Sequence, residues 1–198
     1  MQKELATPIV SLTTSSSAST WLRNAGIVML GSAFVAACSH VALPLWFTPV
    51  PLTMQPFAVL LLGLLLAPRL AATTLAAYLV EGAVGLPVFA PGFGFGAGMA
   101  HLFGPTGGYL LSYPAATMLI SYLWHRSSRG FTAATISAAL GNVVILTCGF
   151  LWISAYSHAS AKTAFALAVL PFLPGDALKV VAAAALATGF HRIRSRKA

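Results

Sequence analysis

Long apolar runs separated by short breaks of Pro, Gly or charged residues occupy most of the chain. Several of these runs are shorter than the ~20 residues that usually cross a bilayer as a helix, which favours a compact bundle with re-entrant pieces. The pattern predicts six membrane segments, at residues 22–43, 54–67, 70–85, 109–125, 131–156 and 175–191, and a short apolar helix at 161–170.

Composition supports a membrane location. Of the 198 residues, 58% are hydrophobic and 7% are charged, whereas about a quarter of the residues in a soluble domain are charged. We therefore predict an all-α integral membrane protein, a bundle of six transmembrane helices. One membrane domain is expected over residues 21–192, between a disordered cytoplasmic tail at 1–20 and a basic cytoplasmic tail at 193–198. The first tail is rich in Ser and Thr and lacks the apolar core of a signal peptide.

The arginines predict the orientation of the bundle. With six spans, every arginine falls at the same side of the membrane, and the positive-inside rule places that side and both termini in the cytoplasm. The net charge of +8 is therefore interpreted as an orientation signal and not as a nucleic-acid-binding surface. The residues concerned are Arg23, Arg69, Arg126, Arg129, Arg192, Arg194 and Arg196.

The stretch PFLPGDALK places two charges at the start of the last apolar run. Asp176 and Lys179 are three residues apart, so they share a face of a helix. One interpretation makes Asp176 a helix cap and lets Lys179 extend outward to water. The other makes the two residues a polar site in an apolar cavity, with Lys179 holding an anionic group, because ionisable residues inside a membrane are candidates for function. We favour the second.

A connection rich in Gly and Phe, residues 85–108, joins the third and fourth segments. Gly permits close backbone approach, and aromatic faces suit a flat organic ring. We predict that this connection is an ordered extracellular loop that acts as a lid or pocket wall, with Phe89 and Phe93 among its ligand-facing residues. A flexible tether and a purely structural loop are the alternatives.

Other candidate residues are weaker when taken singly. Gln55, Tyr109 and Asn142 are polar positions at or inside membrane segments, where each could instead satisfy a neighbouring helix. Ala33 and Ala37 form a small-xxx-small spacing in the first segment, which suits close approach of another helix, either within the bundle or from a partner. The histidines lack metal-ligand spacing and no hydrolytic motif is present, so we expect no metal and no catalytic residues.

The motifs TPVPLTMQPF, LLLGLLLAPRLA, YLVEGAVGLPVFA, LFGPTGGYLLSYP and LPFLPGDALK occur in this order. Together they resemble the BioY family, the biotin-binding substrate-specific (S) components of energy-coupling-factor (ECF) vitamin transporters, over roughly residues 22–191. The resemblance implies high-affinity binding of biotin from the outside and its uptake across the bacterial cytoplasmic membrane. It implies no bound cofactor, since ATP would be used only by partner subunits.

The resemblance also implies roles for particular residues. Asp176 and Lys179 would contact biotin, and loop residues around Phe89 to Phe95 would close over it. We expect the fused rings to lie on Phe or Tyr faces, with Tyr109 a candidate. The ureido group would bond Asp176 and either Asn142 or Gln55, whereas Lys179 would pair with the valerate carboxylate or with Asp176.

The expected partners follow from the same resemblance. Ala33 and Ala37 would form the surface that meets the transmembrane coupling subunit, and two cytoplasmic ATPases would supply the energy, because the sequence printed here has no phosphate-binding loop motif of its own. Two other functions stay open at this point. One is an S component for a vitamin of the riboflavin or thiamine class. The other is an intramembrane enzyme that uses Asp176 or Glu81 as an acid or base.

Overall fold

The computed structural model describes residues 15–91 and 98–196. Apart from one two-stranded sheet, the regular elements in these ranges are helices, which confirms the all-α prediction. In chain order they are α1 (Ser15–His40), β1 (Ala42–Leu43), β2 (Leu52–Thr53), α2 (Gln55–Leu65), α3 (Pro68–Ala83), α4 (Met99–Leu102), α5 (Gly107–His125), α6 (Phe131–Ser157), α7 (Ala161–Ala168) and α8 (Leu173–Ser195).

Three helices in the described part of the chain are long and apolar enough to cross a membrane: Ala18–His40, Phe131–Ser157 and Leu173–Ser195. The helix Gln55–Leu65 is apolar but shorter. Each of the six predicted membrane segments overlaps one helix, in the order α1, α2, α3, α5, α6 and α8. The protein is therefore a helical membrane protein, and the number of crossings stays a prediction.

Proline positions explain where two helices begin. Pro68 is the first residue of α3, where its missing N–H group needs no partner. Ala67 before it is extended, with φ −66° and ψ 151°, because the proline ring disfavours helical geometry in the preceding residue. Pro174 likewise lies in the first turn of α8.

Both ends of the helical region extend beyond the predicted boundaries. α1 begins at Ser15 and α8 ends at Ser195, so parts of the segments assigned to the two tails are helical. Adding residues to an existing helix costs little compared with nucleating a new one, which explains the continuation. The predicted tail at 1–20 lies outside the described residues for its first fourteen positions.

The helices pack around α5, which contacts α2, α3 and α6. α8 packs against α2 and α6, and α1 lies against α2 and α3. Glycines permit the closest contacts at the centre. A Cβ atom on Gly141 would collide with the side chain of Ile120, and one on Gly63 would lie 2.9 Å from the Cβ of the same residue. Such close approach is typical of helices that associate in lipid.

The two ends of the bundle differ in chemistry. At one end Arg23, Arg69 and Arg194 line one groove, and Arg129 lines a second groove with Arg194. We call this the arginine end. The opposite end carries the β1–β2 hairpin, in which Ala42 pairs with Thr53 and Leu43 pairs with Leu52, and the connection between α3 and α5. A cavity opens at this second end.

Candidate binding site

The cavity lies between the hairpin, the starts of α2, α5 and α8, the middle of α6 and the α3–α5 connection. Its walls enclose about 520 Å³ of space between atoms, a figure that includes the open solvent at its mouth. Most of its wall is apolar. Its principal polar lining residues are Gln55, His101, Tyr109, Tyr113, Asp176 and Lys179.

Asp176 and Lys179 form a buried ion pair on the first turns of α8. The Nζ of Lys179 lies 2.9 Å from the Oδ1 of Asp176, and the two residues are 7% and 4% exposed. Phe172 is the N-cap residue of α8, and no side chain caps this helix. The capping interpretation of Asp176 is therefore wrong, and Lys179 does not extend to water. A buried pair of this kind costs free energy to desolvate and is weak support for stability alone, which favours a binding role.

Asn142 on α6 completes the environment of the carboxylate. Its Nδ2 donates a hydrogen bond to the Oδ2 of Asp176 at 3.2 Å, so Asp176 receives a donor on each oxygen. The Oδ1 of Asn142 is buried without a hydrogen-bond partner among the described residues. An unmet buried acceptor costs about 1–3 kcal/mol. Asn142 adjoins the carboxylate and is absent from the cavity lining, so direct contact with a ligand stays a prediction.

Gln55 links the cavity to two other parts of the bundle. Its Nε2 donates to the hydroxyl of Tyr78 at 2.6 Å, and that hydroxyl donates to the backbone oxygen of Val88 at 2.9 Å. The Oγ of Ser39, on α1, donates to the same oxygen at 2.7 Å. The predicted site residue Gln55 is thus tied through Tyr78 to the start of the loop and to α1.

Phe89 occupies a different place from the predicted one. It is buried beneath the cavity wall, edge-on to Tyr78 and stacked on His101 with ring centroids 5.0 Å apart. Gly82 makes room for it, because a Cβ atom there would collide with the phenyl ring. His101, and not Phe89, lines the cavity. The expectation of a ligand-facing Phe89 is therefore wrong in this structure, since the ring is used to pack the connection onto α3.

His101 is a lining residue that the sequence analysis missed. It lies in the short helix α4, where burial lowers the pKa of its imidazole because desolvation disfavours the charged form. A single histidine without a motif around it does not indicate, from the sequence, that it lines a binding cavity. Phe93, the other predicted aromatic residue of the connection, lies outside the described residues.

Tyr109 contributes its ring to the cavity wall, and its contact with a ligand stays a prediction. Its hydroxyl donates to the backbone oxygen of Ala168 at 2.7 Å, so this group secures α7 instead of facing a ligand. Gly149 leaves space for the ring, because a Cβ atom there would collide with it. Tyr113 lies one turn further along α5 and also lines the cavity, and the sequence analysis missed it.

Glu81 and the two alanines of α1 lie elsewhere. Glu81 accepts a hydrogen bond of 2.9 Å from the Oγ of Ser32 and does not line the cavity with Asp176. Ala33 and Ala37 are both exposed on the outer face of α1, so they do not form the internal packing surface that was their alternative interpretation. Within residues 15–91 and 98–196, no three His, Cys, Asp or Glu side chains come together as metal ligands.

Comparison with known proteins identifies the family. The model of the BioY family matches residues 7–196. The chain belongs to the BioY family. A relative from Pyrococcus horikoshii, a probable biotin transporter BioY, is 38% identical over 161 residues, which cover 81% of this chain and 93% of the relative. The biotin transporter BioY of Thermotoga maritima is 33% identical over 162 residues, 82% of this chain and 92% of that one.

A solved structure shares the fold of this protein over nearly the whole chain. It is a crystal structure of the S-component for biotin from an ECF-type ABC transporter, and it aligns with a TM-score of 0.79 at 23% sequence identity. The alignment covers 92% of this chain and 95% of the other. The architecture described above is therefore shared with that protein.

Proposed function

We propose that this chain binds biotin and takes it up across the membrane as the substrate-specific S component of an ECF transporter. The observation that carries the proposal is a buried Asp176–Lys179 pair lining a mostly apolar cavity in a member of the BioY family. Of the two relatives described above, one is named as a biotin transporter and the other as a probable biotin transporter. The chain is therefore a transport component and not an enzyme.

The chemistry of the cavity suits the parts of biotin. The ureido group offers two N–H donors and one carbonyl acceptor, and Asp176 supplies an acceptor in a dry environment. The apolar wall and the ring of Tyr109 suit the fused rings. The ammonium group of Lys179 has three hydrogen-bond donors. It is therefore able to keep its ion pair with Asp176 and also donate a hydrogen bond to the carboxylate of the ligand. Each such contact, when lost, should cost about 1–3 kcal/mol.

For the orientation, we propose six membrane crossings with both termini in the cytoplasm and the cavity mouth outside. Support comes from the gathering of Arg23, Arg69, Arg129 and Arg194 at the end away from the cavity, which the positive-inside rule assigns to the cytoplasm. The host membrane would be a bacterial cytoplasmic membrane. The Gly- and Phe-rich connection would then act on the outer side as the lid.

For the assembly, we propose a transmembrane coupling subunit and two cytoplasmic ATPases as partners. Exposure of Ala33 and Ala37 on α1 supports a docking surface, because small side chains permit close helix approach in lipid. ATP would be hydrolysed by the partners, and biotin would be the ligand of this chain without a bound cofactor. Replacement of Ala33 by Trp should abolish uptake by the assembled transporter while biotin binding by the purified chain is retained.

Calorimetric titration of the purified protein tests the ligand. Biotin should bind with a Kd below about 1 μM, that is with more than about 8 kcal/mol of binding free energy, whereas riboflavin and thiamine should not bind detectably. Tight binding of either of these vitamins without biotin binding would instead support an S component for another vitamin. Loss of a biotin signal in the double variant Asp176→Leu, Lys179→Met would place the binding in the cavity.

A further inference from the structure

A groove lies at the arginine end, between the start of α1, the start of α3 and the end of α8. Arg23, Arg69 and Arg194 line one groove there, each from a different helix. The groove contains about 1580 Å³ of empty space, its open side included. Three guanidinium groups thus border one concave surface, although the helices that carry them are far apart in sequence.

The positive charge of this groove is not balanced by the chain's own carboxylates in the described residues. The whole sequence contains three acidic residues. Asp176 is paired with Lys179 in the cavity, and Glu81 is bonded to Ser32. The third, Glu4, lies outside the described residues. Like charges that converge without counter-charges repel one another, so an external anion would be favoured there.

The same groove has an apolar wall. Ile27 and Val28 of α1 and Leu70 of α3 line it beside the arginines. Trp21, 69% exposed, also lines the groove, and tryptophan is enriched at the level of lipid headgroups. Since α1 is a membrane-capable helix from Ala18, we expect the basic groups and the apolar wall of the groove to lie near the level where headgroups meet acyl chains.

We propose that this groove binds an anionic phospholipid. The headgroup phosphate would accept hydrogen bonds from Arg23, Arg69 and Arg194, because guanidinium groups bind phosphate through paired donors. One acyl chain would lie along the apolar wall formed by α1 and α3. Basic pockets between membrane helices are a known mode of recognising acidic lipids. The proposal does not depend on which vitamin occupies the cavity.

Native mass spectrometry of the purified full chain tests this site. The protein is equilibrated with equal amounts of phosphatidylglycerol and phosphatidylcholine that carry identical acyl chains. Wild type should retain phosphatidylglycerol with at least a tenfold preference. The triple variant Arg23→Gln, Arg69→Gln, Arg194→Gln should lose that preference. A matched control, Arg126→Gln, Arg192→Gln, Arg196→Gln, removes the same charge outside the groove and should behave as wild type. Circular dichroism should show that both variants are folded.

Four results would overturn the proposal. The first is a wild type without preference between the two lipids. The second is an equal loss of preference in both triple variants, which would indicate attraction to net charge alone. The third is complete displacement of phosphatidylglycerol by millimolar glycerol phosphate, which would indicate a site for soluble anions. The fourth is loss of assembly with the coupling subunit in the groove variant with lipid preference unchanged, which would make the groove a protein-docking surface.

Discussion

Charged side chains are buried and paired at one end of this molecule, whereas at the other they line an open groove without acidic partners among the described residues. At the cavity end, Asp176 and Lys179 are buried and neutralise each other, and Asn142 bonds the same carboxylate. At the arginine end, Arg23, Arg69 and Arg194 share an open groove without an acidic side chain in its lining. Buried charge must be paired inside the protein, whereas charge at a membrane surface finds its counter-ions outside. The position of a charge relative to the membrane therefore decides what it can bind.

The ion pair offers the sharpest test of this difference. Lys179→Ala leaves Asp176 as an uncompensated buried carboxylate and should lower the free energy of unfolding by about 3–5 kcal/mol. The double variant Asp176→Leu, Lys179→Met should recover most of that loss, because neither charge remains. Thermal unfolding in detergent measures both. Biotin affinity should fall at least tenfold in both the single and the double variant. An unchanged affinity in the double variant would contradict a binding role for the pair.

Two glycine substitutions compare how tightly the helices pack at the two ends of the molecule. Gly149→Ala, beside the ring of Tyr109, should destabilise the protein by about 1–3 kcal/mol through overpacking and should weaken biotin binding. Gly189→Ala, near the arginine end in α8, meets nothing within 4 Å and should be neutral or stabilising, because alanine favours the helix. Unfolding midpoints check both. Equal effects of the two changes would mean that the cavity wall is not tightly packed.

The hydrogen bonds that connect Gln55, Tyr78, Val88 and Ser39 are expected to contribute less to stability and to biotin binding. Tyr78→Phe removes the hydroxyl that joins Gln55 to the oxygen of Val88 and should cost about 1 kcal/mol or slightly more. Ser39→Ala is the matched control on α1, since Val88 keeps its bond from Tyr78. Calorimetry should show weaker biotin binding for Tyr78→Phe than for Ser39→Ala. The reverse order would show that the loop is anchored chiefly through α1.

The smallest effect concerns pH. Burial lowers the pKa of His101 below its ordinary value of about 6.5, so the folded protein binds this proton less readily than the unfolded chain. Stability should therefore fall as the pH drops below about 6.5, down to the lowered pKa. His101→Gln should make unfolding less dependent on pH in this window. An unchanged pH profile would mean that His101 does not contribute to acid sensitivity.

Part of the site was predictable because its signal is local. Asp176 and Lys179 stand out in a chain with few charges, and their spacing alone places them on one face of α8. Tyr109 followed from its place after a Gly-rich segment. The partners of these residues were harder to predict from the sequence. Asn142 and Asp176 are 34 positions apart and come into contact only through the packing of α6 on α8.

The connection between α3 and α5 shows the same limit. Aromatic residues in a glycine-rich loop indicate a pocket wall, but the sequence does not say which ring faces inward. In the fold, Gly82 admits the ring of Phe89 into the core, and His101 takes the position on the cavity. Local composition predicts the kind of surface, and steric fit between distant segments decides which residue forms it.

The sequence by itself determined that this is a helical membrane protein with its arginines at one end. In the lipid core, backbone N–H and C=O groups can form hydrogen bonds only with each other, so long apolar runs form helices. Charged side chains are excluded from the lipid-facing surface. Only the tertiary structure decided which polar groups meet. Asp176 with Asn142, Ser32 with Glu81 and the three arginines of one groove are brought together by helix packing, a property of the whole bundle that no single segment contains.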